Sequence, residues 1–284
     1  MKLKYELCCK CKKTKKVAIF NYTKRPILEM NFNIKGKYER IYYECLKCKH
    51  MFNQHEMKWE NIYSSQYFKS TYKNNKELQK RFNAVNELSI AKSDNKKRVI
   101  RITKNFKKEN LEVLDVGAGI GVFLYQMKKK NWNITGIEVD KKFSNFGKRF
   151  DLNILNKNIF KYKTEKKFDL ITFNKVLEHV ESPMKMLKHS KRFLKKNGLI
   201  YIELPSVKAK KYGKQREEFC VDHLQVFSPK SLKLLIKCSG LSSTNVKDIK
   251  EPSSTNALLV FLFNISSIIH QRHLNTIPFV SLFK

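Results

Sequence analysis

Two pairs of cysteines near the start of the chain have the spacing of metal ligands. Cys8 and Cys11 form one Cys-x-x-Cys pair, and Cys45 and Cys48 form a second one, with 33 residues between the two pairs. Two such pairs can each wrap a metal in a tight turn and together complete the four-thiolate site of structural Zn²⁺. The sequence therefore predicts a closed zinc site at these four cysteines, and a redox role for them is the less favoured alternative.

A glycine-rich segment in the middle of the chain predicts a second kind of site. The run LEVLDV ends with Asp115 and Val116, and Gly117, Gly119 and Gly121 follow before a helical stretch. A strand, a glycine turn and a helix expose backbone N–H groups and let a ligand approach the carboxyl edge of a sheet. The segment therefore indicates a nucleotide-like cofactor.

The spacing of these glycines argues against a nicotinamide cofactor. The pattern is Gly-x-Gly-x-Gly, and Val122 stands where the dinucleotide fingerprint needs Gly or Ala. Glu138 lies at the end of the next predicted strand, where a carboxylate can accept hydrogen bonds from ribose hydroxyls. Asp140 is the competing candidate, and we expect it to cap a helix instead.

The elements that must position these residues follow three patterns. Residues 1–55 carry the cysteines and strand-like runs, and residues 56–108 show helix-like spacing, which predicts a helical linker or lid. Residues 109–284 alternate strand-like runs (LEVLDV, NITGIEVD, LNILNKNIF, FDLITFN, LIYIELP) with amphipathic helical stretches. Alternation of this kind predicts a doubly wound α/β domain with a parallel sheet. After Pro205, SPKSLKLLIKCSG predicts a helix that stops at Gly240, and 242–250 and 256–264 are the following strand candidates.

As a set, the motifs LDVGAGIG, GIEVD, FDLITFNKVLEHV and KKNGLIYIELP resemble those of class I S-adenosylmethionine-dependent methyltransferases. The resemblance implies a Rossmann-like, seven-stranded, mostly parallel sheet with an antiparallel last strand. It places Asp115, Gly117, Gly119 and Gly121 near the methionine end of the cofactor and Glu138 at the ribose, and Asn174 is a further candidate for cofactor binding. Asn158 and Ile159 would flank the adenine, although Asp is frequent in that family where Asn158 stands.

The phrase VLEH at 176–179, together with a cysteine-bearing N-terminal segment, resembles a subset that methylates sugars and other small metabolites. The stretch DHLQVFSP at 222–229 resembles a segment in which a histidine is a proposed base. The resemblance implies His223 as a general base, and the adjacent Asp222 is the candidate for its orienting carboxylate. The alternative for His223 is a structural role, and we expect His179 to be a structural residue beside the cofactor. In sugar C-methyltransferases a tyrosine and an extra C-terminal domain accompany the base. Cys220 stands in place of that tyrosine and we expect no such domain here, which counts against C-methylation.

Three functions are consistent with these motifs. The favoured one is methylation of a small molecule such as a sugar or a glycan precursor. The runner-up is an RNA or protein methyltransferase that grips its polymer through a basic zinc ribbon. The Asn/Asp-Pro-Pro-Tyr/Phe signature of many enzymes that methylate bases or amides is missing from FNKVLEH, which counts against the runner-up. A cofactor-binding protein without activity is the third.

The charge of the chain does not overturn this order. The formal net charge is +34, but only nine of the 59 basic residues are arginines, whereas phosphate and base readout favours arginine forks. We interpret the charge as a compositional background that can attract an anionic acceptor. Because the sequence shows no signal peptide and no apolar run long enough for a membrane span, a cytoplasmic location is expected. The tail at 265–284 is expected to pack on its own domain, with docking on a membrane surface or a second subunit as the alternatives.

Overall fold

The computed structural model describes residues 15–27, 29–57, 74–106, 109–249 and 278–283. Cys8, Cys11 and the strand candidate at 256–264 lie outside the described residues, as does most of the tail at 265–284. The zinc ligands of the first pair and the packing of the tail therefore stay predictions.

One sheet of seven strands organises the larger part of the molecule. Its strands are β4 (Glu112–Val116), β5 (Asn133–Glu138), β6 (Ile154–Asn156), β7 (Phe168–Asn174), β8 (Leu194–Pro205), β10 (Ser243–Asp248) and β11 (Pro278–Phe283). The order is β10-β11-β8-β7-β4-β5-β6, and β6, β5, β4, β7 and β8 run parallel. β11 is antiparallel to both of its neighbours. The predicted parallel α/β sheet is confirmed.

The parallel strands are apolar on both faces because helices cover both faces. Leu170 packs in one hydrophobic cluster with Val113 and Leu124, whereas its neighbour Ile171 packs in the cluster on the other face with Leu235. All five side chains are at most 1% exposed. The continuous apolar runs in the sequence are therefore the two-sided core of the sheet.

The helices follow the predicted amphipathic stretches. They are α1 (Asn75–Glu87), α2 (Asp94–Thr103), α3 (Val122–Lys128), α4 (Lys141–Gly147), α5 (Pro183–Lys191) and α6 (Pro229–Cys238). Side-chain caps fix several starts: Ser93 Oγ accepts from Lys96 N at 3.1 Å, and Ser228 and Ser231 form a capping box at α6. Gly240, with φ of 71°, follows the end of α6 as predicted. None of the described helices has the length and apolar character needed to cross a bilayer.

A second, antiparallel sheet ties the N-terminal segment to the rest of the fold. Its order is β1 (Lys16–Tyr22), β2 (Arg40–Cys45), β3 (Met51–Gln54) and β9 (Gln225–Val226). β9 comes from the segment after β8, and it pairs with β3 through Met51↔Val226 and Phe52↔Gln225. We call this unit the N-terminal sheet. The strand-like character predicted for residues 1–55 is found in the described part of that segment, but the sheet is completed by a strand from the larger unit.

Candidate functional site

A cavity of about 400 Å³ lies at the carboxyl edge of the parallel strands. Loops that follow β4, β5, β6 and β7 form its walls, so the cavity sits where ligands bind in open α/β sheets. Of the predicted cofactor residues, those that line it are Gly117, Gly119, Glu138, Asn158 and Ile159. Asp115, Gly121 and Asn174 are not among its lining residues.

The glycine turn after β4 shapes the cavity floor. Gly117 and Gly119 have φ angles of 76° and 54°, which glycine adopts at little cost. A Cβ on Gly117 would meet Val176 Cγ2 at 2.6 Å, whereas a Cβ on Gly119 would meet nothing within 4 Å. Gly117 is therefore needed for packing, and the open space beside Gly119 is the kind of room that a closely approaching cofactor needs.

Glu138 connects two loops of the cavity wall. Its Oε2 accepts from Gly119 N at 2.8 Å, and its Oε1 accepts from Asp140 N at 2.8 Å. The side chain is 8% exposed, and burial raises the pKa of the carboxyl in spite of these hydrogen bonds. Each carboxylate oxygen can accept a further hydrogen bond. The residue predicted to hold a ribose therefore lines the cavity and fixes the glycine turn as well.

Asp140 caps α4, as the sequence indicated, and it also faces the cavity. Its Oδ1 accepts from Lys142 N at 2.7 Å and from Phe143 N at 3.3 Å. Its Oδ2 is buried and has no hydrogen-bond partner among the described residues. A buried acceptor of this kind fits a hydroxyl-bearing ligand such as a ribose. The sequence predicted the cap and named Asp140 as the competing ribose carboxylate, and the unpartnered Oδ2 leaves that second role open.

Asp115 fixes the end of β4 against β7. Its Oδ1 accepts from Thr172 Oγ1 at 2.5 Å and from Asn174 Nδ2 at 2.9 Å. Because the carboxyl is 1% exposed, burial raises its pKa to about 7. Asn174 Oδ1 is buried without a partner among the described residues, so this side chain can still accept one hydrogen bond.

Asn158 and Ile159 form the cavity wall after β6. Asn158 Oδ1 accepts from Phe160 N at 2.9 Å and so caps a short 3₁₀ turn. Ile159 is 3% exposed and offers an apolar surface to a flat ring. The adenine contact of Asn158 stays a prediction, because the side chain is exposed and its oxygen already accepts a bond within the turn.

Lys175, which sequence reasoning missed, also lines the cavity. It follows β7 with φ of 57°, an uncommon conformation for a residue with a long side chain. Its Nζ lies 3.8 Å from Asp94 Oδ2. Burial alone would lower the pKa of this ammonium group, but the carboxylates of Asp94, Glu217 and Glu203 raise it above its usual value. A charged lysine therefore stands at the wall.

Two histidines meet at one end of the cavity. His179 and Asp222 line the cavity, and the ring centroid of His223 lies 4.7 Å from that of His179 in an edge-to-face contact. His179 Nδ1 lies 3.0 Å from Asp222 O, and His223 Nδ1 lies 3.0 Å from Glu218 O. Because a carbonyl only accepts, both Nδ1 atoms carry the proton and both Nε2 atoms hold the lone pair in the neutral rings.

This arrangement changes the predicted pairing of His223 with Asp222. The orienting partner of His223 is the Glu218 carbonyl, whereas Asp222 Oδ2 lies 3.5 Å from His179 Nδ1. The prediction that Asp222 orients His223 rested on their adjacency in sequence, whereas the carboxylate lies beside the other histidine. His179, expected to be structural, is the ring on the cavity wall.

Glu178 lies beneath the histidine pair. It is fully buried, neither carboxylate oxygen has a hydrogen-bond partner among the described residues, and burial raises its pKa to about 7. One ligand atom each of Glu178, His179 and His223 lies within 4.8 Å of the other two. This set can share a proton or hold a divalent ion.

Cys45 and Cys48 lie in a tight turn at the end of β2. Both are fully buried, Cys45 N donates to His50 O at 2.8 Å, and Lys49 N donates to Cys45 O at 2.8 Å. His50 is also buried, and burial lowers its pKa to about 4, which keeps the ring neutral. The turn brings two thiols together, and the partners predicted for them lie outside the described residues.

The part of the chain that forms this cavity matches a known protein family. Residues 88–246 match the family described as a methyltransferase domain. The ubiquinone biosynthesis O-methyltransferase of Pelagibacter ubique is 30% identical over 37% of this chain and 46% of its own length. The (S)-coclaurine N-methyltransferase of Papaver somniferum is 32% identical over 34% of this chain and 30% of its own length. These matches span less than half the length of either relative.

A solved structure shares the fold. The plantazolicin methyltransferase BpumL, solved in complex with SAH, aligns with a TM-score of 0.51 and 15% identity over 75% of this chain and 88% of its own. The family match covers more than half of the 284 residues and includes every residue that lines the cavity. The chain therefore belongs to the methyltransferase domain family, a family of enzymes whose curated relatives include O- and N-methyltransferases.

Proposed function

We propose that this protein transfers a methyl group from S-adenosylmethionine to a hydroxyl of a small molecule. The observation that carries the proposal is the histidine pair at one end of the cofactor-sized cavity, with both Nδ1 atoms held by backbone carbonyls. A hydroxyl acceptor must lose its proton during methyl transfer, and a neutral imidazole is suited to take it near neutral pH.

The residues of the cavity fit the cofactor in separate places. Glu138 and the unpartnered Asp140 Oδ2 suit ribose hydroxyls, the space beside Gly119 suits the methionine portion, and Ile159 suits the adenine ring. When bound, S-adenosylmethionine supplies a methyl group on a sulfonium, which is electrophilic without further activation. The chain's remaining contribution is to hold the acceptor in line and to remove its proton.

The histidine pair is the proposed base. His179 is on the cavity wall and His223 is its ring neighbour, so a proton taken by one imidazole stays next to the other and to the buried Glu178 carboxyl. The sequence resemblance supports His223 as the base, and the cavity lining supports His179. Asp222, whose carboxylate lies 3.5 Å from His179 Nδ1, favours the charged imidazolium that forms.

The acceptor class rests on three different supports. The resemblance of 222–229 to sugar-modifying enzymes favours a sugar or a glycan precursor. The curated relatives are named for ubiquinone biosynthesis and for coclaurine, which favours small molecules generally. Lys175 at the cavity wall suits an acceptor with an anionic group. An RNA or protein acceptor is the alternative.

Calorimetry tests the first half of the proposal, because S-adenosylmethionine should bind with one site per chain. A panel of phenols, sugar nucleotides, amines, RNA and peptides, assayed for methyl transfer to each acceptor, then tests the second half. His179→Gln and His223→Gln should each lower the turnover of the best acceptor, and His189→Gln, at a ring outside the cavity lining, is the matched control. Activity only on RNA or peptides would replace the small-molecule proposal. Turnover that requires an added divalent ion and stops with a chelator would replace the histidine base.

The structural zinc is proposed on the turn that Cys45 and Cys48 form. Two buried thiols in a Cys-x-x-Cys turn are half of a tetrahedral thiolate site, and the spacing of Cys8 and Cys11 supplies the other half. A cytoplasmic location, where thiols stay reduced, accords with such a site.

A further inference from the structure

The segment that organises both histidines is bonded to the N-terminal sheet. This segment, residues 220–224, is called the histidine loop below. It carries His223 itself, and its Asp222 carbonyl holds Nδ1 of His179. The position of this loop therefore decides where both Nε2 lone pairs point.

Tyr42, in the middle of β2, makes the most direct of these contacts. Its hydroxyl donates to His223 O at 2.5 Å and lies 3.1 Å from Cys220 O. Tyr42 is fully buried, and burial raises the pKa of its hydroxyl well above the usual value, so the phenol remains a donor at any working pH. Its ring also packs edge-to-face on Phe219, one residue before the loop.

Other residues of the N-terminal sheet and its connections hold the rest of the loop. Val221 N donates to Glu29 Oε2 at 2.7 Å, and Glu29 is itself fixed by an ion pair with Arg40 at 2.8 Å in which both side chains are fully buried. Asn53 Nδ2 donates to Val221 O at 3.1 Å, and Asn53 N donates to Leu224 O at 3.0 Å. The backbone of the loop is thus bonded at residues 220, 221, 223 and 224 by the N-terminal sheet and the connection between β1 and β2.

We propose that Tyr42 is a positioning residue for the histidine pair and that strands β2 and β3 of the N-terminal sheet, which bond the histidine loop, are for this reason a part of the active site. The inference rests on the proposed function, in which the two histidines form the base. Without the Tyr42 hydroxyl, His223 O loses its close donor, and the peptide that follows it keeps the bond from Leu224 N to Glu178 O at 2.9 Å but can tilt at its carbonyl end. The ring of His223 and the Asp222 carbonyl that fixes His179 then lose their alignment.

The test compares Tyr42→Phe with Tyr22→Phe. Tyr22 lies on β1 of the same sheet, is 2% exposed, and donates its hydroxyl to Lys214 O at 2.7 Å, so the control removes an equivalent bond outside the histidine loop. Three quantities are measured for the full chain: the dissociation constant of S-adenosylmethionine, kcat and KM for the best acceptor, and the ring ¹⁵N shifts that report the tautomers of His179 and His223.

We expect Tyr42→Phe to lower kcat by about tenfold or more, because a small displacement of a catalytic group is costly. It should leave the cofactor dissociation constant unchanged and mix the histidine tautomers, whereas Tyr22→Phe should leave all three quantities unchanged. Equal effects of the two substitutions, or wild-type tautomers and kcat in Tyr42→Phe, would overturn the inference.

Two further measurements separate the possible failures. If the wild-type protein binds S-adenosylmethionine but methylates no acceptor, the proposed function fails, and the ¹⁵N comparison still decides whether Tyr42 orients the histidines. If Tyr42→Phe lacks a cooperative unfolding transition, Asn53→Ser removes the amide donor to Val221 O instead. Unchanged tautomers in that variant contradict the positioning role, and mixed tautomers support it.

Discussion

The carboxylate of Glu138 accepts a hydrogen bond from the backbone N–H of Gly119 at 2.8 Å, which joins the end of β5 to the glycine turn after β4. A second bond, from Asp140 N to Oε1, holds the next loop. One side chain thus shapes two walls of the cavity, and its ionised form is the acceptor for both N–H groups.

We expect Glu138→Ala to weaken S-adenosylmethionine binding by about tenfold or more, because a hydrogen bond to a charged group contributes about 1.5–3 kcal/mol. Calorimetry measures the effect. Glu112→Ala, at the opposite end of β4, is the control and should bind the cofactor as the wild type does. An unaltered dissociation constant in Glu138→Ala would remove this residue from the cofactor site.

Gly119 gives a second prediction because its missing side chain leaves open space. Its φ is 54°, and a Cβ would contact nothing within 4 Å. Gly119→Ala should therefore cost about 1–2 kcal/mol of stability through backbone strain and should also obstruct the cofactor. Gly36 has φ of 87° and equally open surroundings, but it lies far from the cavity lining.

Gly36→Ala is thus the matched control for strain alone. Both variants should lose stability in urea titrations, and only Gly119→Ala should lose affinity for S-adenosylmethionine. Equal affinities in the two variants would show that the open space beside Gly119 is not used by the cofactor.

Local pattern was enough to predict the parallel sheet and most of the cofactor wall. The runs LEVLDV and FDLITFN could be identified because strands buried on both faces are continuously apolar, and positive φ angles restrict the turn after β4 to glycine. Glu138 could be identified because the ends of neighbouring parallel strands meet at one edge. These features each depend on a few consecutive residues.

Features that depend on distant residues could not be predicted. β9 has only two residues, Gln225–Val226, and its pairing with β3 has no local signal. The bond from Tyr42 to His223 joins residues 181 positions apart. Which of the two histidines the Asp222 carboxylate approaches depends on the conformation of the turn that carries Asp222. The sequence could not show that Asp140 Oδ2 has no partner, because the helix-cap role uses only the other carboxylate oxygen.

Asp115 and Glu178 predict how stability depends on pH. Burial raises the pKa of Asp115 from 3.8 to about 7 and that of Glu178 from 4.5 to about 7. Between the unfolded and folded values the native protein binds protons that the unfolded chain releases, so stability falls as pH rises through 7. The lowered pKa values of His50, about 4, and Glu203, about 2, have the opposite effect, but only below about pH 6.5.

We therefore expect the free energy of unfolding of the cofactor-free protein to decrease between pH 6.5 and 8. Asp115→Asn should flatten this decrease, since an amide oxygen can still accept from Thr172 and Asn174. The double variant with Glu178→Gln should flatten it further. Urea titrations at four pH values measure the slopes, and equal slopes in the wild type and the double variant would contradict the assignment.

The cysteine turn at the end of β2 gives the last prediction. A four-thiolate site should bring about one zinc per chain, and removal of one thiolate should release the metal because a structural site depends on all of its ligands. Cys45→Ser should therefore lose zinc and loosen the N-terminal sheet, in which Cys45 is the last residue of β2. Cys238→Ser, at the end of α6, is the control and should retain the metal.

Elemental analysis measures the zinc, and amide exchange of β1, β2 and β3 measures the sheet. Because β3 pairs with β9 directly after the histidine loop, zinc removal should also lower kcat while the cofactor dissociation constant stays the same. A fully protected N-terminal sheet in a zinc-free wild-type protein would refute the structural zinc.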